Sequence, residues 1–346
     1  MAGITIALLL TFLSSVLCGS TPSDCTFETE NYLTCHLSSI NSRLERTDFS
    51  VIPNQTVGLK VICNQAAQGM LQMGAFSSLN LLEELIIEGC VLKDLPSGAF
   101  YGLENLKRLE IRTQNDVSLI IMDGAFNHLP KLEALDLSQN KIRNIPNGEL
   151  CKLEKLQLLN VSRNEIGSLL DIGVEGDNCG DDLTIVDLSH NQLTAIEEGP
   201  GLLSRTSIQE LTMENNYIRF IDENVTLTFS LKVLKLSNNQ ISHLPSNLFR
   251  HLSLRELHLA NNTLSSLPES LFLGQFNLEI LDLSGNVLMS SGLPANLTQD
   301  LPNLLELNLC SNQLQDLSDE LTGFLFNLQV SVENGSYGTI KLKNVL

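Results

Sequence analysis

Eight cysteines, six histidines and forty acidic residues are the side chains of this 346-residue sequence with chemistry to offer, and their spacing narrows what they can do. Cys18 is followed by Cys25, Cys35, Cys63, Cys90, Cys151, Cys179 and Cys310, and no two stand in the C-x-x-C spacing that grips zinc. Cross-linking in an oxidising compartment is the expected use of most of them. His190 and His258 lie far apart in the chain and read as surface histidines, not as a metal or acid–base pair. No G-x-S-x-G, H-E-x-x-H, phosphate loop or G-x-G-x-x-G occurs. The expectation is a protein that is not an enzyme and uses no cofactor or metal.

A second chemistry-bearing set is the N-x-S/T sequons at Asn54, Asn160, Asn224, Asn261, Asn296 and Asn334, none with an intervening proline. They matter only in a secretory setting, and residues 1–20, MAGITIALLLTFLSSVLCGS, supply one. The apolar run from Ile4 to Leu17 with small residues after it reads as a signal peptide and is shorter than the roughly 20 residues of a membrane span. No later stretch is long and apolar enough to span. The product is expected to be secreted or extracellular. Its balance of 21 basic against 40 acidic residues, a net −19, argues against nucleic acid and anionic membranes as partners.

The elements that must position these groups are written repeatedly. In LPKLEALDLSQNKIRNIPNG (Leu129–Gly148), Leu132, Leu135, Leu137, Asn140 and Ile142 fit L-x-x-L-x-L-x-x-N-x-L, the leucine-rich repeat signature. Side chains two apart on a strand share a face, so Leu135 and Leu137 point inward and Asp136 outward. Asn140 stands where the chain leaves the strand, placed to bond backbone groups of neighbouring turns. The triplet recurs from Leu82/Leu85/Ile87 to Leu304/Leu307/Leu309, about ten times at spacings of roughly 23 to 27 residues. The second half of each unit often reads L-P-x-x-x-F, as at Leu95, Pro96 and Phe100, which suits an outer arc of turns filled by Phe. The expected fold is an α/β leucine-rich-repeat solenoid, a curved horseshoe. Its concave face is a parallel β-sheet, and its convex face carries loops, 3₁₀ turns or short helices. Residues 1–20 are the signal, 21–80 a cysteine-containing cap with a degenerate first repeat, 81–327 the repeats and 328–346 a non-repeat tail that leaves the last repeat without a lid. The polar insertion Asp171–Asp182 is expected to bulge to one side.

The cap segment INSRLERTDFSVIPNQTVGLKVIC (Ile40–Cys63), the G-A-F units, LDLSQNKIRNIPNG and the cysteines Cys151 and Cys179 around the fourth repeat resemble the amino-terminal part of insect Toll receptor ectodomains, in particular the Tollo and 18-wheeler branch. The resemblance spans about residues 25–327. It implies a receptor of innate immunity or developmental cell contact, with a cystine-knot, cytokine-like protein ligand or another receptor ectodomain as partner. Later repeats, carboxy-terminal cysteine caps, a membrane span and a signalling domain do not follow in this sequence, which then reads as a secreted or truncated form. A secreted adhesion or matrix protein without immune role is the alternative.

Six of the cysteines admit 15 pairings, which sequence alone leaves open. The favoured set joins Cys63 to Cys90, on strands about 4.8 Å apart, Cys151 to Cys179 on neighbouring outer arcs, and Cys25 to Cys35 within the cap, leaving Cys310 over. Outward strand positions carry a charged stripe. Glu84, Glu88, Glu110, Arg112 and Asp136 on the early repeats are the expected ligand face, because sugars at Asn160 and Asn261 would crowd the middle of the sheet.

Overall fold

The computed structural model describes residues 24–41, 47–64, 68–113, 116, 118–174, 179–199, 201–204, 207–315 and 341–343. The signal segment, the sequon at Asn334 and residues 328–340 of the tail lie outside the described residues. The chain divides into two compact units, Met1–Asn140 and Lys141–Leu346.

In the first unit the sheet runs through β1 (Cys25–Thr29), β2 (Tyr32–Leu37), β3 (Gly58–Cys63), β5 (Glu84–Glu88), β8 (Arg108–Arg112) and β10 (Ala134–Asp136). β1 and β2 form an antiparallel hairpin, and every later neighbour is parallel. The two-residue strands β4 (Gln68–Gly69), β6 (Val91–Leu92), β7 (Asp94–Leu95) and β9 (Ile120–Ile121) pair behind them, β4 with β6 and β7 with β9. The period-two pattern sets the register: Leu33, Leu59, Leu85, Leu109 and Leu135 face one another rung by rung. All five are buried, as are the tilted pair Phe49 with Phe76 and the stacked pair Phe100 with Phe126 that fill the space behind the strands.

The second unit repeats the plan. Its sheet comprises β11 (Leu158–Asn160), β12 (Ile185–Asp187), β14 (Glu210–Thr212), β16 (Val233–Lys235), β17 (Glu256–His258), β18 (Ile280–Asp282) and β19 (Glu306–Asn308), all parallel. Leu159, Val186, Leu211, Leu234, Leu257, Leu281 and Leu307 make its ladder. The outer arcs carry the short pair β13 (Ala195–Ile196) with β15 (Phe220–Ile221), 3₁₀ turns such as Leu169–Ile172, and an α-helical turn, Leu297–Asp300. Where the insertion Asp171–Asp182 begins, a Ser168–Asp171 capping box holds that 3₁₀ turn, while residues 175–178 lie outside the described residues.

Buried asparagines tie the turns together. Asn239 is typical: its Oδ1 accepts from Ile218 N at 3.0 Å, and its Nδ2 donates to Leu236 O and to Met213 O one repeat back, each at 3.0 Å. The residue before each such asparagine is left-handed, among them His190, Asn261 and Gly285, which accounts for His190 as a turn residue. In the irregular second repeat Thr113 is the residue that meets the following repeat's asparagine. Thr113 donates both its N–H and its hydroxyl to Asn140 Oδ1, each at 2.8 Å.

The open end is a correction. The sequence reads as though the non-repeat tail leaves the last repeat without a lid, yet β20 (Lys341–Lys343) lies antiparallel on β19, with Lys343 opposite Glu306 and Lys341 opposite Asn308. A three-residue stretch outside the repeat period satisfies the backbone of that edge.

Candidate partner-binding face

On the open face of the first unit, parallel register brings outward side chains into rows across the strands. Glu84 stands opposite Arg108, Glu88 opposite Arg112, and Glu110 opposite both Ile86 and Asp136. The rows close into one ion-pair network. Arg108 Nε lies 3.2 Å from Glu84 Oε1 and its Nη2 lies 3.2 Å from Glu110 Oε2. Arg112 Nη1 reaches Glu110 Oε1 at 2.9 Å, its Nη2 reaches Asp136 Oδ2 at 2.7 Å, and its Nε donates to Ser138 Oγ at 3.3 Å. Lys60 Nζ lies 2.9 Å from Glu88 Oε2.

These contacts revise how the expected ligand-face residues act. Glu110 is buried, only 6% exposed, between two guanidinium groups, and Asp136 also accepts Ser138 N at 2.8 Å through Oδ1. Both brace the arginines and cannot themselves meet a partner broadly. What stands forward is Lys60, Glu88, Arg108 and Arg112. Burial alone lowers the Arg112 pKa, but the hydrogen bond and charge of Asp136, then Glu110 and Glu88, carry it above its ordinary value, so its charge is secure. The face pairs three cations with four carboxylates and is nearly neutral. Although the chain carries a net −19, this face has little net charge with which to steer a charged molecule.

Two members were not foreseen. Lys60 lies in the cap strand, and Tyr32 in the hairpin before it packs its ring over Gly58, where a methyl group would collide with it. Burial first, then the charge and hydrogen bond of Glu84, raise the Tyr32 pKa above 10.0. The signal that would have found them is register: β2, β3 and β5 are parallel neighbours, so their outward residues belong to the same rows.

The other chemistry-bearing residues fall elsewhere. Disulfides join Cys25 with Cys35, Cys63 with Cys90, and Cys151 with Cys179. Asn54, Asn224 and Asn296 are exposed. Asn160 is half-buried on β11 in register with Asp187, and its Oδ1 accepts Ser162 N at 3.0 Å. Asn261 stands beyond its strand in the left-handed turn, with Nδ2 donating to Asn238 Oδ1 at 2.9 Å.

The family model described as leucine rich repeat matches residues 120–166, 206–264 and 253–314, which take in β10, β11 and the strands from β14 to β19. The fold is the parallel-sheet solenoid typical of leucine-rich-repeat proteins. Over 161 residues, 43% of this chain, the solenoid is 34% identical to Toll-like receptor 7 of Drosophila melanogaster, and that stretch is 11% of the relative's length. Among solved structures it is similar to a chain of the glycosylated Drosophila Toll–Spätzle complex, with TM-score 0.59 and 22% identity over 89% of this chain and 45% of that one. A chain of the octameric complex of Latrophilin 3, Unc5D and FLRT2, whose FLRT2 component is its leucine-rich-repeat part, gives TM-score 0.70 at 22% identity, covering 88% and 89% of the two chains. At such identities the solved structures speak for the fold alone. Among the described residues no helix is long and apolar enough to cross a membrane.

Proposed function

We propose that this solenoid is an extracellular, non-catalytic recognition module of the Toll receptor type, within the Tollo and 18-wheeler branch, and that the first unit's open face takes a protein partner. A cystine-knot, cytokine-like ligand or another receptor ectodomain is the partner chemistry this reading favours, and innate immunity or developmental signalling is the setting. The observation that carries it is the braced network. Arg108 and Arg112 are held forward on a rigid sheet by Glu84, Glu110 and Asp136, so their remaining donors are pre-organised for a partner's carboxylates or carbonyls. The 34% identity to a Toll-like receptor supports the family side of the reading.

A secreted adhesion or matrix role without immune function is the second reading, since the repeats by themselves do not separate the two. The experiment is binding of a Spätzle-like cystine-knot protein and, in parallel, of adhesion-receptor ectodomains to the purified chain and to its R108E/R112E variant, with circular dichroism as the folding control. The proposal expects cystine-knot binding in the parent and its loss in the variant. Binding that the variant retains undiminished would remove this face, and capture of adhesion ectodomains alone would favour the second reading.

A further inference from the structure

The second unit holds a small cleft on its outer arcs that the repeat pattern does not require. Glu197 and Glu198 leave β13, Val225 to Phe229 follow β15, and these with Leu203 line a space of about 220 Å³. That is below the roughly 300–1,000 Å³ of sites for free small molecules, and is room for one ring. Three features of its wall call for an occupant. Thr228 is 4% exposed, and its Oγ1 is buried with no hydrogen-bond partner, an arrangement that costs stability unless something fills it. Phe229 is 59% exposed, its ring touched edgewise by His251. Glu197 and Glu198 are exposed carboxylates at the rim.

An apolar ring face, carboxylate acceptors and a hydroxyl together match the amphipathic surface of a sugar. The C–H face of the sugar stacks on an aromatic while its hydroxyls bond acceptors around the edge. A covalent source adjoins the cleft. Asn224, Val225 and Thr226 form a sequon, and Val225 and Thr226 themselves line the wall. Asn224 is exposed and turned back, its N and Nδ2 both donating to Asp222 Oδ1 at 2.8 and 3.3 Å. Asp222 N in turn donates to Ile196 O at 2.8 Å, the residue before Glu197. A group on Asn224 Nδ2 therefore starts beside the mouth.

We propose that Asn224 carries an N-linked glycan whose first sugar ring rests in this cleft, against Phe229 and over Thr228 and the two glutamates. Attachment transfers the oligosaccharide from a lipid-pyrophosphate donor. The Nδ2–C1 bond forms, the C1–O bond breaks with its electron pair leaving on the lipid pyrophosphate, and one amide proton is released. The inference rests on the extracellular reading above. It adds a structural glycan to that reading: one that completes the outer arc and marks this side of the second unit as covered, not as a docking surface.

The test is glycopeptide mass spectrometry on the full chain secreted from insect cells, followed by timed peptide N-glycosidase treatment of the native protein. Asn54 and Asn296, both exposed, serve as internal references. Asn224 is expected to be occupied and to lose its glycan severalfold more slowly than the references in the native protein, at the same rate after denaturation. F229A and T228V are expected to speed native release at Asn224 alone. Asn224 bare while Asn54 and Asn296 are occupied, native release at equal rates, or release indifferent to both substitutions would each overturn the seating. A bare Asn224 would leave the cleft to a partner's basic side chain. If no sequon is occupied at all, the extracellular reading falls first and this inference with it.

Discussion

Arg112 on β8 reaches forward one strand to Asp136 on β10, Nη2 to Oδ2 at 2.7 Å, while Glu110 two residues back on its own strand holds Nη1 at 2.9 Å. The guanidinium is gripped from both sides, by a residue of its own strand and by one that parallel register sets opposite Glu110.

Such a shared network should be non-additive. In a double-mutant cycle of E110Q and R112A, read by denaturant unfolding, we expect a coupling of about 1 kcal/mol, inside the 0.5–3 kcal/mol seen for residues in one network. Simple additivity would mean that Glu110 braces nothing. E110A alone should be the more damaging change, because it leaves two cations facing each other across a half-buried site.

The asparagine ladder predicts a gradient. Replacing Asn239 by Ala strands Ile218 N, Leu236 O and Met213 O in a buried turn, a loss of about 3 kcal/mol or more at ~1–3 kcal/mol per orphaned group. Asn312, bonded in the same way but at the half-buried last repeat, should cost clearly less because water reaches its partners. Equal losses at both positions would show that the ladder's worth lies in strand geometry and not in burial.

The leucine and asparagine ladders were legible in the sequence because each depends on a fixed offset inside one repeat. Leu135 and Leu137 inward, Asn140 at the turn: these need no knowledge of the neighbour. What escaped reading depends on relations between repeats. The Arg112–Asp136 contact requires knowing which residue of the next strand stands opposite, across a spacing that varies from unit to unit. Thr113 could not be recognised as a partner of the ladder, because its bonds run to Asn140 of the following repeat. Tyr32 belongs to a hairpin without repeat periodicity, and β20 is too short to leave a pattern.

Tyr32 makes the first unit sensitive to alkali. Burial, followed by the charge and hydrogen bond of Glu84, makes the folded chain hold the phenol proton more tightly than the unfolded chain does. The stabilisation is complete below pH 10.0 and is lost as pH rises through the raised folded value. Y32F cannot ionise, so its stability should decline less steeply above pH 10.0 than the parent's. Parallel curves would dismiss the contact.

The Cys151–Cys179 bridge closes a loop with a sequence separation of 28. A loop of that length is worth about 3 to 4 kcal/mol in chain-entropy terms. C151S/C179S should lower unfolding stability by about that amount, and the change should appear in the second unit's hydrogen exchange. A loss well under 1 kcal/mol would mean that the surrounding turns already hold the loop.

The last relationship concerns the end of the second unit. A parallel strand at a sheet edge offers a row of unpaired N–H and C=O groups, and behind β19 lie the buried Leu304, Leu307 and Leu309. β20 meets that edge antiparallel, in a register that sets Leu342 opposite Leu307. Its backbone occupies the positions another chain would otherwise take. Deleting residues 341–346 should therefore expose the edge and promote self-association, seen as a rise in light scattering with concentration that the parent lacks. Fusing a single polar capping repeat to the deleted form should restore a monomer. If the deleted chain stays monomeric over the same concentrations, β20 is not what protects β19. A parent that already aggregates would mean the three-residue strand is too short to hold the edge closed.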